Sequence, residues 1–353
     1  MNILLLDDLP AHRVEVHRAL ALAMATDGTV KDFTPGPGEG DDGTYESRLA
    51  EDLQKAPNAP IDLIVADRDL SSYRPRYTGL SEATVRRVAD ALGVPECGYA
   101  RGERADDPEY IKRGEQSEAC IRLPLKPIDE FARRIVAIAK GFQSIASRVR
   151  AMPDATKQPP AKLLARILDK PEYADKISLY SSGDQNRLMI LREAGASNDK
   201  SQRLACLLGY WLWDSVLRFP GVTVGVTPAS SYLNILHEEF RDNERIQVLF
   251  AAAKYTGPFA DAKKPMWWRG MLDDIVAHSG LRDGREFAAK ELRVDIPPSQ
   301  CCEDPRRTAG YYCMINQKPV SAENSKGGLP WFPRGADLAR VSKTKLEELG
   351  PWL

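Results

Sequence analysis

The chain is 353 residues long, enough for about two or three ordinary domains. With 43% hydrophobic and 28% charged residues and a formal net charge of -1, it reads as ordinary globular protein, and its overall charge gives no argument for binding nucleic acid or an anionic membrane. The apolar start, Ile3 to Leu6, runs into Asp7 and Asp8 and is too short for a signal-peptide core; no apolar run reaches the roughly 18–20 residues of a membrane span, so the expected compartment is cytoplasmic.

Met1 to Leu6 is uniformly apolar, as expected of a strand buried on both faces of a parallel sheet. A helix is predicted over Ala11–Met24 and a brief strand over Thr29–Phe33. The Gly/Pro/Asp-rich stretch 34–47 reads as a loop. A polar helix over Tyr45–Lys55 leads to a third strand, Asp62–Ala66. Then come a helix over Ser81–Leu92 that stops at Gly93 and a fourth strand over Pro95–Ala100. A fifth strand within 119–127 precedes a helix from Asp129 to about Phe142. Five strands alternating with helices predict an α/β fold, a doubly wound five-stranded parallel sheet with right-handed crossovers. In such sheets a ligand site lies outside the carboxyl ends of the strands.

Three of those ends carry charge. The first strand ends in Asp7-Asp8, the third in Asp67 within "LIVADRDLSS", and the fifth in Lys126-Pro127. In this order on this fold, "ILLLDD", "DLIVAD" and "LPLKP" resemble the receiver domain of bacterial two-component response regulators over about residues 1–145. The resemblance implies a receiver/flavodoxin-like fold and a Mg²⁺ site on Asp7, Asp8 and Asp67, with Asp69 supplying a backbone carbonyl. It also implies that Asp67 accepts a phosphoryl group and that Lys126 contacts the phosphoryl oxygens. The chemistry agrees: Mg²⁺ prefers carboxylate oxygens and retained waters, and a lysine balances phosphoryl charge as a point cation. The sequence departs from the family at Ala100, where Ser or Thr usually ends the fourth strand, at Leu123, where an aromatic residue is usual, and at Leu70-Ser71, where Met-Pro is frequent. Without the hydroxyl at position 100, the family's usual conformational readout is not expected.

The Pro-rich polar segment 149–162 reads as a linker between a receiver-like domain, 1–148, and a mostly helical output or interaction domain of unknown type, 163–353, with a small β element. Helices are predicted over 202–218, after Thr227-Pro228, and over 243–255 and 267–279. Residues 310–320 read as a strand or hairpin, "KGGLPWFPRG" as an irregular loop, and "KTKLEEL" as a last helix. Trp267 and Trp268 are expected to anchor a helix to its neighbours. The six cysteines suggest reduced thiols; Cys301, Cys302 and Cys313 cluster, but without a CxxC pair or a nearby histidine.

The expected function is a response-regulator-like signalling protein whose partner is a histidine kinase or kinase-like ATPase. It is a phospho-acceptor or binding protein rather than an enzyme of independent purpose. A rival reading is a divergent receiver serving as a structural or adaptor subunit of a larger bacterial complex, for instance in phage defence. A third is a DNA-binding regulator, disfavoured because residues 151–353 are only mildly basic and show no helix-turn-helix pattern. No membrane partner is expected.

Overall fold

β1 (Asn2–Leu6), α1 (Pro10–Met24), β2 (Thr29–Asp32), α2 (Tyr45–Lys55), β3 (Leu63–Asp67), α3 (Glu82–Leu92), β4 (Glu96–Ala100), β5 (Ile121–Pro124) and α4 (Ile128–Arg150) follow one another along the chain. They belong to a computed structural model that describes residues 1–36, 44–55, 60–73, 76–77, 80–100, 121–180 and 198–350. The five strands form one all-parallel sheet in the order β2-β1-β3-β4-β5. β1 and β3 are interior strands, which is why they read as continuous apolar runs; Leu4 to Leu6 and Leu63 to Ala66 are all buried. β2 lies at the edge, and its residues are exposed or half-buried.

The register sets Leu6 opposite Ala66 and Asp67 opposite Tyr99. The carboxyl ends of β1, β3 and β4 therefore open onto one edge of the sheet. Pro10 occupies the first turn of α1, where a fixed φ suits a helix and no N–H is needed. α1 packs against α4, and α2 against α3. Gly93 ends α3 in the left-handed region, at φ 68°, a conformation that costs a residue with a Cβ. Along α4, Phe131, Ile135, Ile138, Phe142, Ile145 and Val149 are buried at helical spacing.

The chain divides into two compact units. Met1–Asp107, Glu118–Leu163 and Gly183–Trp211 form the first; Pro108–Ser117, Leu164–Ser182 and Leu212–Leu353 form the second. After α5 (Pro160–Ile167) and α6 (Ala174–Ser178), the chain returns to the first unit as α7 (Asn198–Trp211). α7 packs on α4 and α3. The Tyr210 hydroxyl accepts the Glu96 N–H at 2.6 Å and donates to the Glu96 carbonyl at 3.1 Å. Its ring meets Phe142 edge-on at 5.3 Å. Gly209 permits this approach, because a Cβ there would lie 2.3 Å from the Phe142 ring.

The second unit holds β6 (Thr223–Gly225), α8 (Val226–Tyr232), α9 (His237–Asp242), α10 (Glu244–Leu249), β7 (Met266–Trp268), α11 (Arg269–Ser279), α12 (Gly284–Leu292), β8 (Tyr311–Cys313), β9 (Pro319–Val320), β10 (Ser325–Gly327), β11 (Ala339–Ser342) and α13 (Lys343–Leu349). β6 pairs antiparallel with β7, and the other four strands form a sheet in the order β10-β11-β8-β9. Trp267 and Trp268 are buried as expected, but on a strand rather than a helix: they face Val224 and Thr223 across β6, and the helix begins at Arg269. Paired aromatic and β-branched residues suit a half-buried pleated surface. The helix expected over 202–218 ends at Trp211 and continues as a π-helical turn, Leu212–Val216. The loop 34–47 is described only in part, since residues 37–43 lie outside the described residues. Among the described residues no helix is long and apolar enough to cross a membrane, and Cys97, Cys206, Cys301, Cys302 and Cys313 are free thiols.

Candidate metal centre at the sheet edge

Asp7 follows the last residue of β1 and is 0% exposed. A buried carboxylate is tolerable only when its oxygens are satisfied, and here three groups satisfy them. Oδ1 accepts the Leu9 N–H at 2.9 Å, and Oδ2 accepts the Tyr99 hydroxyl at 2.7 Å. His12 Nδ1 lies 2.7 Å from the same Oδ2. A carboxylate has about four lone-pair directions, so Asp7 retains room for one more partner. Its backbone carbonyl accepts from Arg13 at 3.3 Å.

Asp67, the last residue of β3, is 4% exposed. Beside it, the Arg68 N–H donates to the Tyr99 carbonyl at 3.0 Å, which holds the ends of β3 and β4 together. Burial first, then the charge of Asp7 and its hydrogen bond, and then the charge of Asp67 push the Tyr99 hydroxyl well above the ordinary tyrosine range. Tyr99 therefore stays protonated and donates to Asp7. Burial likewise pushes the Tyr73 hydroxyl up, with the opposing charge of Arg13 close by.

Ligand atoms of Asp7, His12 and Asp67 lie within 4.8 Å of one another, the only such group among the described residues. Two carboxylates and an imidazole around one point can hold a metal ion. The donors fit a divalent cation: the carboxylates supply charge, Asp7 keeps an open lone pair, and His12, with its side chain 15% exposed, faces the rim.

The other residues singled out in the sequence stand at the same edge with hydrogen bonds of their own. Asp8 is half-buried, and its Oδ2 accepts the Ser72 N–H at 2.5 Å, tying the loop after β3 to the end of β1. Asp69 accepts the Ser71 N–H at 3.0 Å through its carboxylate, and its backbone bridges to Ser81. Lys126 is exposed and pairs with Glu15 of α1, Nζ to Oε1 2.9 Å. That ammonium lowers the pKa of the Glu15 carboxyl through a hydrogen bond and its charge. The side chain of Ala100, at the end of β4, lies outside the described residues. His17 and Arg13 both meet Asp32, at 2.7 and 3.7 Å, and extend a belt of ionisable groups along α1.

His12 and Tyr99 were not singled out in the sequence. The available signal was positional: His12 lies in the first turn of the helix after the acid pair, which points back at the strand end. Tyr99 is the β4 residue whose register partner is Asp67.

No protein-family model matches the chain, and no curated protein or solved structure is significantly similar to it.

Proposed function

We propose that the first unit is a receiver-like phosphoryl acceptor of doubly wound, flavodoxin-like fold, with Asp67 as nucleophile and Mg²⁺ held by Asp7 and Asp67. The observation that carries this reading is the pairing of two buried carboxylates, Asp7 and Asp67, at the carboxyl edge of an all-parallel sheet in the order β2-β1-β3-β4-β5. One Asp67 oxygen attacks the phosphorus of a phosphohistidine on a kinase partner. The O–P bond forms as the P–N bond breaks, and the imidazole leaves with a proton from solvent. When bound, Mg²⁺ offsets the charge of the phosphoryl oxygens against the carboxylates. Asp7 is held in place by Leu9 and Tyr99, and Lys126 serves as the phosphoryl contact after leaving Glu15. The partner under this reading is a histidine kinase or kinase-like ATPase, and the second unit is the output or interaction module.

The Lys126–Glu15 pair favours a second reading, a docking receiver within a larger complex that never carries phosphate. Incubation with acetyl phosphate and Mg²⁺ separates the two. Under the first reading, intact mass rises by one phosphoryl group, borohydride trapping maps it to Asp67, and Asp67→Asn abolishes it. No adduct under any Mg²⁺ or donor concentration supports the second.

A further inference from the structure

The Asp7–Asp67 pair does not stand alone: an imidazole nitrogen of His12 lies within 4.8 Å of both carboxylates, and Nδ1 already contacts Asp7 Oδ2 at 2.7 Å. The neighbouring acids Asp8 and Asp69 each accept a backbone N–H, from Ser72 and Ser71, and neither carboxylate belongs to the group of side-chain ligand atoms within 4.8 Å. The resulting donor set is one nitrogen and two carboxylates. Mg²⁺ gains little from imidazole, whereas Zn²⁺ and its first-row neighbours bind imidazole well and tolerate three protein ligands with an open position.

We propose that Asp7, His12 and Asp67 form a regulatory site for a borderline divalent transition cation of the Zn²⁺ class. That cation competes with Mg²⁺ and takes Asp67 out of use. Mg²⁺ needs only the carboxylates and water; the transition ion recruits His12 as its third ligand. With three protein ligands a four-coordinate ion keeps one open position, against the several that octahedral Mg²⁺ keeps for water and phosphoryl oxygens, so a phosphoryl donor is not seated beside Asp67. The consequence for phosphoryl acceptance rests on the function proposed above; the metal selectivity does not.

The test uses the full chain, Zn²⁺ in competition with a chromophoric chelator, and Co²⁺ as a spectroscopic probe. His12→Phe removes the nitrogen and keeps a ring beside Tyr99, where the native rings lie 6.2 Å apart. Wild type is expected to bind one Zn²⁺ and to give Co²⁺ visible bands of a low-coordinate site with nitrogen. His12→Phe should lose more than the roughly 10–100-fold that outer-shell partners of a metal site contribute, lose those bands, and keep its Mg²⁺-dependent thermal shift. Zn²⁺ affinity within about twofold of wild type in His12→Phe overturns the proposal, and so locates any zinc elsewhere, at Cys302 or His17–Asp32 for example. Loss of the Mg²⁺ shift along with the Zn²⁺ site also overturns it, since His12 would then only position Asp7. In a separate arm, Zn²⁺ should suppress acetyl phosphate labelling in wild type and not in His12→Phe. Failure to label at all sinks the phosphoryl-acceptor reading and leaves the metal titration to decide this one.

Discussion

The Tyr99 hydroxyl on β4 reaches over the end of β3 to donate to Asp7 Oδ2, 2.7 Å away beyond β1. One hydrogen bond thus spans three strands and fixes the buried carboxylate on which the site depends. Tyr99→Phe should cost about 1.5–3 kcal/mol, the usual worth of a hydrogen bond to a charged group. With that donor gone, the carboxylate has more to gain from a cation. Thermal melts should therefore show a lower Tm without metal and a larger Mg²⁺ shift than in wild type. An unchanged Tm would mean that the bond contributes nothing.

Glu96 begins β4 fully buried, 3.5 Å from the Arg86 guanidinium. Burial foremost, then the charge of Glu82, raises its carboxyl pKa from 4.5 to about 8, against the pull of Arg86 and Arg122. Between those values the folded chain binds more protons than the unfolded one, so stability should fall as pH rises from about 4.5 to about 8. Glu96→Gln should flatten that slope, matching wild type near the acid end and exceeding its Tm above pH 8. Chemical denaturation across this pH range checks it; a wild-type stability that rises with pH while Glu96→Gln does the same would refute the assignment.

α7 closes the first unit through Tyr210 and Gly209. Tyr210→Phe leaves the buried Glu96 N–H without its acceptor and should cost about 1–3 kcal/mol. Gly209→Val forces a side chain into the Phe142 ring and should cost a further, larger amount than the roughly 1–3 kcal/mol of ordinary overpacking. A fragment ending at Arg150 lacks α7 altogether. It should melt below the first unit of the full chain and bind a hydrophobic dye; a fragment as stable as the full chain would contradict this packing.

Ala100 ends β4 without a hydroxyl, so a phosphoryl group on Asp67 has one fewer group to attract. Hydrogen exchange with Mg²⁺ and beryllofluoride should alter protection over residues 95–128 little. Strong new protection there, lost in Asp67→Ala, would reveal a working switch.

The interior strands were legible because burial on both faces forces continuous apolar runs, and Asp7 and Asp67 because each interrupts such a run at a strand end. Alternation and charge do not report which way a loop carboxylate turns, so the bonds of Asp8 to Ser72 and Asp69 to Ser71 were not legible. His12 was hidden for a related reason: its role depends on how the first turn of α1 folds back on β1. The apolar face of 202–211 was visible, but not its partner, because an amphipathic pattern says only that something covers it. The pairing of Trp267 with Val224 is likewise tertiary, and it overrode a helical reading of 267–279.

The most direct test of the central claim is a thermal melt of the full chain with Mg²⁺ and beryllofluoride together, beside Asp67→Asn and Asp7→Asn. A phosphoryl-accepting carboxylate pair predicts a shift greater than Mg²⁺ alone gives, because the mimic binds the folded state only, and its loss in both variants. No added shift in wild type, or the same shift in Asp67→Asn, would contradict the claim.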